Sequence, residues 1–394
     1  MPAQANILRI DCDAETMACH PHSIFKYQRM QTASKAPAQA PTGNAIIKAK
    51  ALGFPWDTID PFLFCAYHDD AYPPANAEMG PAASLSGRTL GQDFSRQDGW
   101  SMYHGQTVPG FPSHPHRGFE TVTIVRKGLI DHSDSLGAVA RFGRGDVQWL
   151  TAGKGIVHAE MFPLLATDTN NPLELFQIWL NLPARNKMVT PHFTMFWSQD
   201  IPHHIMQDEA GRSTEVAVIA GRLADASAPL SPPPDSWASQ ADADVSIWTL
   251  RMDPGASWTL PSAAGVGTQR SLYFFKGQSV SVDGEGINSH AALELRGDYA
   301  VALVNTGSSV AEFLLLQGKP IAEPVVQYGP FVMNTQAEIR QTLADYQRTQ
   351  FGGWPWEDSA PVHGRSPERF ARHPDGREER PSNTPSLRAQ RGSP

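Results

Sequence analysis

From Phe119 to about residue 335 the apolar positions come in short runs interrupted by glycine, and none keeps a helical period. Glu120–Arg126 (Glu-Thr-Val-Thr-Ile-Val-Arg) leads into Lys127-Gly128. Gly143 and Gly145-Asp146 precede Val147–Leu150, and Phe176–Leu182 is closed by Pro183. β-Branched and aromatic residues bounded by turn formers read as strands, so the pattern predicts a sheet protein. The punctuation then repeats: Lys276-Gly277 followed by Arg296-Gly297-Asp298 matches Lys127-Gly128 followed by Arg144-Gly145-Asp146, with Gly307 and Gly153 at comparable distances beyond. Two copies of one antiparallel barrel or sandwich account for this repeat. Only Gln336–Gln347 has helical composition. There Ile339, Leu343 and Tyr346 recur at helix-like spacing, and Asn334 or Thr335 stands where an N-cap belongs.

These elements set the expected organisation: a flexible N-terminal extension at 1–45, barrels at 46–190 and 191–335, a helix packing on them at 336–356, and a disordered tail at 357–394. The extension ends in the small, Pro-rich stretch 34–43, and its Cys12, Cys19, His20 and His22 match no standard zinc spacing. The Pro-rich stretch 228–235 reads as a loop inside the second barrel. The tail carries seven Arg after residue 364, interspersed with Glu368, Asp375, Glu378 and Glu379, and reads as solvated.

Composition narrows the function classes. A net charge of −8 over 394 residues leaves no electrostatic footprint for nucleic acid. No stretch reaches the roughly 18 apolar residues of a membrane span. The first residues carry Asp11, Asp13 and Glu15 and no basic-then-apolar leader, which argues against a secretory or organelle signal. Three cysteines, Cys12, Cys19 and Cys65, cannot build a disulfide framework and fit a reducing compartment. A soluble, monomeric, cytoplasmic protein is expected, with a nuclear location open for a eukaryotic source.

The chemistry sits in two short motifs, His114-Pro-His116 and His158-Ala-Glu160. Members of each pair are two residues apart, and strand side chains repeat with period 2, so both members of a pair share a face. Two neighbouring strands would then aim three imidazoles and a carboxylate at one ion. That donor set suits iron, manganese, nickel or copper better than a thiolate-rich structural zinc site, and on an octahedral ion it leaves two positions open. Counted back from the Lys-Gly turn, the second copy has Ala263 and Gly265 where the first has its histidines, so it cannot hold the same metal. Its His290 reads as a surface loop residue.

At these residues the chain resembles the pirin family, two-barrel members of the cupin superfamily. The resemblance is carried by Asp60–Phe64, His114–Thr121, Gly145–Gly153, Gly155–Met161 and Gln327–Thr335, in order, over about residues 46 to 356. It implies an all-β fold of two tandem cupin domains with a short C-terminal helix and flexible tails. It also implies one divalent metal, Fe(II) foremost and Mn, Ni or Cu otherwise, held by His114, His116, His158 and Glu160. The wider cupin pattern takes its carboxylate ligand at the place of Glu120, whose parity is expected to put it on the histidine face; Glu120 is therefore kept as an alternative ligand or supporting group. Some pirins resemble quercetin 2,3-dioxygenases, which would make a flavonol and O2 the substrates and Glu160 or Glu120 the base. Phe119, Ile124 and Trp149 are then candidate walls for a flat polyphenol, with a core role for each the plainer reading. Other pirins resemble iron-dependent transcriptional coregulators, which would make a protein the partner. A third reading is a promiscuous cupin acting on another enol or phenol. The chain departs from the resemblance at 65–113, an insertion expected to be either a lid over the site or a surface decoration.

Overall fold

The computed structural model describes residues 45–223 and 229–382. Its first strands are β1 (Ile46–Ala51), β2 (Phe62–Tyr72), β3 (Gly110–His116), β4 (Phe119–Lys127) and β5 (Leu129–Asp134). They are followed by β6 (Val139–Gly143), β7 (Val147–Thr151), β8 (Ile156–Met161), β9 (Asn171–Asn181) and β10 (His192–Phe196). One sheet runs β10-β7-β4-β9-β2 and faces a second that includes β6-β5-β8-β3, closing the first cupin barrel. Both faces of its central strand β4 are covered, which is why Glu120–Arg126 reads as a nearly continuous buried run instead of an alternating one. Val125 looks into the barrel with Leu150 and Leu175. Val122 and Ile124 look outward, with Trp149, Phe176 and Ile178, onto the second barrel.

The second barrel is built from β11 (His203–Gln207), β12 (Ser213–Ala220), β13 (Ser246–Met252), β14 (Ser257–Leu260) and β15 (Gln269–Lys276). It continues through β16 (Val280–Val282), β17 (Glu285–Ile287), β18 (Ala291–Leu295), β19 (Val301–Asn305) and β20 (Ala311–Gly318). Its larger sheet, β1-β18-β15-β20-β13-β12-β11, presents Ile219, Ile247, Tyr273, Phe275, Leu314 and Leu316 to the first barrel. The two cupin domains thus share an apolar seam between back-to-back sheets. At its rim Arg126 bridges Glu174 of the first domain and Glu312 of the second.

A hairpin of β21 (Val326–Tyr328) and β22 (Phe331–Met333) leads into α1 (Gln336–Thr349). Thr335 is its N-cap, in a reciprocal capping box with Glu338. Ile339 and Tyr346 pack on Phe331, Phe351 and Val157, with Leu343 alongside, so the helix rests on the strand that carries His158.

Three expectations change. β1 pairs with β18, so the strand expected to open the first barrel completes the second. β10 still pairs with β7, so the first barrel continues past residue 190. The tail is ordered where it is described. β23 (Phe370–Arg372) adds to the edge of β6 and pairs with β24 (Glu378–Glu379). Arg369 donates to Asp146 at 2.6 Å and Arg141 donates to the Ser366 carbonyl. Ala371 is fully buried and His373 stacks on Phe193 at 4.5 Å. Of the charges that suggested solvation, Arg369 is used against the buried Asp146 of the barrel, while Arg372, Arg377 and Arg380 pair with Glu378, Glu379 and Glu368 within the segment itself. Residues 1–44, with the Cys12, Cys19, His20 and His22 group, and residues 383–394 lie outside the described residues. His290 is exposed, as expected.

Candidate metal centre

β3 and β8 are antiparallel neighbours with His114 opposite His158. A register shift between Phe111 and His114 brings the ladder back into step before the histidine pair. Two glycines make this approach possible. A side chain at Gly110 (φ +133°) would meet the Glu160 carbonyl 2.5 Å away, and one at Gly118 (φ +84°) would meet the Val332 carbonyl at 2.0 Å. Arg117, between His116 and that turn, donates to the Lys154 carbonyl and pairs with Asp345 of α1 at 2.9 Å. The helix therefore clamps the turn that follows the histidine pair.

The three imidazoles converge. Ring centroids lie 4.8 Å apart for His114–His116, 4.4 Å for His114–His158 and 4.9 Å for His116–His158. One nitrogen from each falls within 4.8 Å of the other two, the one such group of three or more metal-binding side chains among the described residues. Nδ1 of His114 must donate to the Pro112 carbonyl at 2.8 Å, because a carbonyl only accepts, and Nε2 therefore carries the lone pair. Nδ1 and Nε2 of His158 and Nδ1 of His116 are buried with no hydrogen-bond partner. Burial pushes the His114 imidazolium down to about 4 and holds those of His116 and His158 well below the usual histidine range, with their mutual repulsion adding to it. Three neutral imidazoles with unused lone pairs are what a divalent cation requires, so the residues fit such an ion.

Glu160 stands on the same face of β8, its Oε2 3.9 Å from His158 Nε2, just outside the tighter histidine cluster. Gln177 donates to Oε2 at 2.8 Å, and the Thr123 hydroxyl lies 3.1 Å from Oε1 and 2.5 Å from Oε1 of Gln177. The Thr123 hydroxyl has one proton, so if it donates to Gln177 its contact with Glu160 is a hydrogen bond only when Glu160 is protonated. Burial raises the Glu160 carboxyl from its ordinary value in the same sense.

Glu120 is elsewhere. Its carboxylate accepts from Thr151 and from Ser236, both at 2.6 Å, on the face of β4 turned toward the second barrel. The parity expectation does not hold because β3 and β4 belong to different sheets, and the turn at Arg117-Gly118 breaks the alternation between His116 and Phe119. Ile124 and Trp149 lie in the seam between barrels, not at the site. Phe119 does touch it, with ring centroids 5.1 Å from His116 and 4.3 Å from Trp179.

Other neighbours went unread in the sequence. His132 is paired across the ladder with Glu160, lies 5.5 Å from the His158 ring, and is within 3.2 Å of Asp134. Its signal is the same two-residue spacing, His132-Ser133-Asp134. Thr123 and Gln177 are polar residues inside apolar runs, and a buried polar residue is the informative exception in such a run.

The insertion begins as strand: residues 65–72 extend β2 along β9. The loop that follows returns to the barrel through Tyr103, whose hydroxyl lies 2.7 Å from His68 Nδ1 and donates to Asp70 Oδ2 at 2.7 Å. Tyr103 stacks on Phe111 at 5.3 Å, and Phe111 lies 6.4 Å from His114. The loop therefore reaches the rim of the site through Tyr103 and Phe111.

With this geometry in place, comparison with known proteins becomes specific. The Pirin family profile matches residues 48–180, and the profile of the Pirin C-terminal cupin domain matches residues 247–352. The chain belongs to the pirin family. A Pseudomonas aeruginosa relative, provisionally named a quercetin 2,3-dioxygenase, is 35% identical over 242 residues, covering 61% of this chain and 79% of its own. The pirin of Mus musculus is 34% identical over 254 residues, covering 64% and 80%. The crystal structure of quercetin 2,3-dioxygenase from Acinetobacter baumannii superposes with a TM-score of 0.60 at 28% identity, over 78% of this chain and 98% of that one. As in the family profiles, the chain carries two cupin domains; its histidine cluster stands in the first.

Proposed function

We propose that this pirin is a metal-dependent dioxygenase that opens an enol or phenol ring, with a flavonol of the quercetin type as its substrate class. The observation that carries the reading is the trio of converging, neutral imidazoles of His114, His116 and His158 with Glu160 beside them. These four residues would hold one divalent ion, Fe(II) foremost, with Mn, Ni and Cu as the alternatives. When bound, that ion would supply Lewis-acid stabilisation of the substrate's enolate and the redox chemistry of reaction with O2.

The chain's own residues do the rest. His114 is oriented by the Pro112 carbonyl, so Nε2 and not Nδ1 faces the cluster. Glu160 is the group placed to take the substrate's hydroxyl proton. Gln177 and Thr123 fix its two oxygens, and the Thr123 contact has room for the proton it would receive. Phe119 and Trp179 wall the His116 side with aromatic surface and limit the entry of water. The names of the Pseudomonas and Acinetobacter proteins support the choice of flavonol.

The test is anaerobic reconstitution with Fe(II), Mn(II), Ni(II) or Cu(II), followed by quercetin and O2 with detection of carbon monoxide. Metal-dependent turnover is expected, lost in His158→Ala together with the metal. Glu160→Gln should lower metal affinity by about tenfold or more and Glu120→Gln should leave it near wild type. The reverse ranking of the two glutamates would return the carboxylate role to Glu120. Stoichiometric metal without turnover of any phenol would favour the protein-binding reading instead.

A further inference from the structure

We propose that His104, on the insertion loop, is the specificity-determining residue of the site, a hydrogen-bond acceptor for a phenolic hydroxyl remote from the one that meets the metal-binding cluster. This deepens the flavonol reading and rests on it.

The argument begins with access. His116 and His158 are buried, whereas His114 and the Phe111–Ser113 segment before it are partly exposed, so a ligand reaches the cluster from the His114 side. That side is lined by the loop. Phe111 is held between consecutive loop residues, with Tyr103 stacked on it at 5.3 Å and His104 edge-on at 5.6 Å. Consecutive side chains can flank one ring here because Tyr103 takes a left-handed backbone (φ +55°). Its hydroxyl bonds to His68 and Asp70 fix that conformation to β2. His104 is therefore mounted on a rigid base.

The tautomer of His104 follows from its surroundings. Nδ1 lies 2.6 Å from the Gly91 carbonyl and must donate to it, so Nε2 is left as an acceptor. Nε2 is buried and has no partner among the described residues. A buried acceptor without a partner costs free energy that a ligand hydroxyl would recover. The cover over it is Phe94, whose ring lies 5.2 Å from His104 and 5.3 Å from Tyr103 and is 40% exposed. A ligand that reaches Nε2 would have to displace Phe94. An aromatic wall with a single unpaired acceptor suits a flat ring that carries a hydroxyl.

The experiment is an anaerobic fluorescence titration of the metal-loaded protein with quercetin and with 3-hydroxyflavone, which keeps the 3-hydroxyl and lacks the remote ones. Wild type should bind quercetin about tenfold more tightly, His104→Ala should lose that preference, and His104→Gln, which can place an acceptor near the Nε2 position, should keep most of it. Metal content is measured on all three proteins. An unchanged preference in His104→Ala would overturn the assignment, as would loss of metal in that variant, which would place His104 among the metal-holding residues. Wild-type protein that loads metal and binds neither flavonol would overturn the flavonol reading itself, a failure visible before any variant is made.

Discussion

Glu120 keeps a carboxyl group entirely out of water, where it accepts from the hydroxyls of Thr151 and Ser236. Burial outweighs its hydrogen bonds and pushes its titration up to about 7. The folded state therefore binds a proton that the unfolded chain has released. The stability this contributes is complete below the ordinary glutamate range and is lost as pH rises from about 4.5 to about 7. The span corresponds to on the order of 3 kcal/mol. Glu120→Gln mimics the protonated form, and its unfolding free energy, measured by denaturant titration across that range, should fall less steeply with pH than that of wild type. Parallel curves would show that Glu120 does not titrate between the barrels. Glu160, on β8 in the facing sheet, has an amide and a hydroxyl at its oxygens and His158 alongside. Two buried carboxyls thus serve different ends, one turned to the seam between the barrels and the other to the histidine cluster.

Among the elements, the C-terminal segment contributes more than its composition promises. β23 covers the edge of β6, Ser113 donates to the Ser359 carbonyl at 2.7 Å, and Ala360 and Val362 pack with Met79, Val108, Met161 and Leu165. Arg365 donates to the carbonyl of Ala77 at 2.8 Å, joining the insertion loop to this strap. Residues 354–382 therefore hold both the outer sheet and the loop that borders the site. Ending the chain after Gly353 should destabilise the protein by on the order of 2–4 kcal/mol, since it uncovers a strand edge and deprives the buried Arg141–Asp131 pair of two partners, the Ser366 carbonyl and the His363 N–H. A denaturant midpoint unchanged from full-length protein would show that the segment only decorates the barrel.

Over the whole molecule, the two cupin domains are bound by their seam and by the crossing of one strand. β1 joins the second barrel before the chain enters the first, and Trp149, Phe176 and Tyr273 are buried between the sheets. No helix among the described residues is long and apolar enough to cross a membrane. Residues 52–200 expressed alone would expose one face of that seam, so they should aggregate or unfold without a cooperative transition, as followed by circular dichroism. A soluble fragment that melts cooperatively would show that the first barrel folds without the second. Trp149→Ala in the intact chain should cost about 3–5 kcal/mol in the same assay, as expected for emptying a packed core position.

Local spacing carried the fold class, the repeat, the helix with its cap, and the histidine pairs, because each depends on residues a few positions apart on one element. His114 with His116, and His158 with Glu160, share faces through the two-residue period of a strand. The convergence of the three histidines was legible because β3 and β8 are direct neighbours. The Glu120 reading failed at the point where the chain leaves one sheet for the other, since alternation has no meaning across a turn that changes sheets. The crossing of β1 to the second barrel, the docking of the tail on β6, and the placing of His104 beside Phe111 are long-range contacts. They depend on which strand edges and apolar faces remain uncovered once both barrels have closed, and only the tertiary structure decides that.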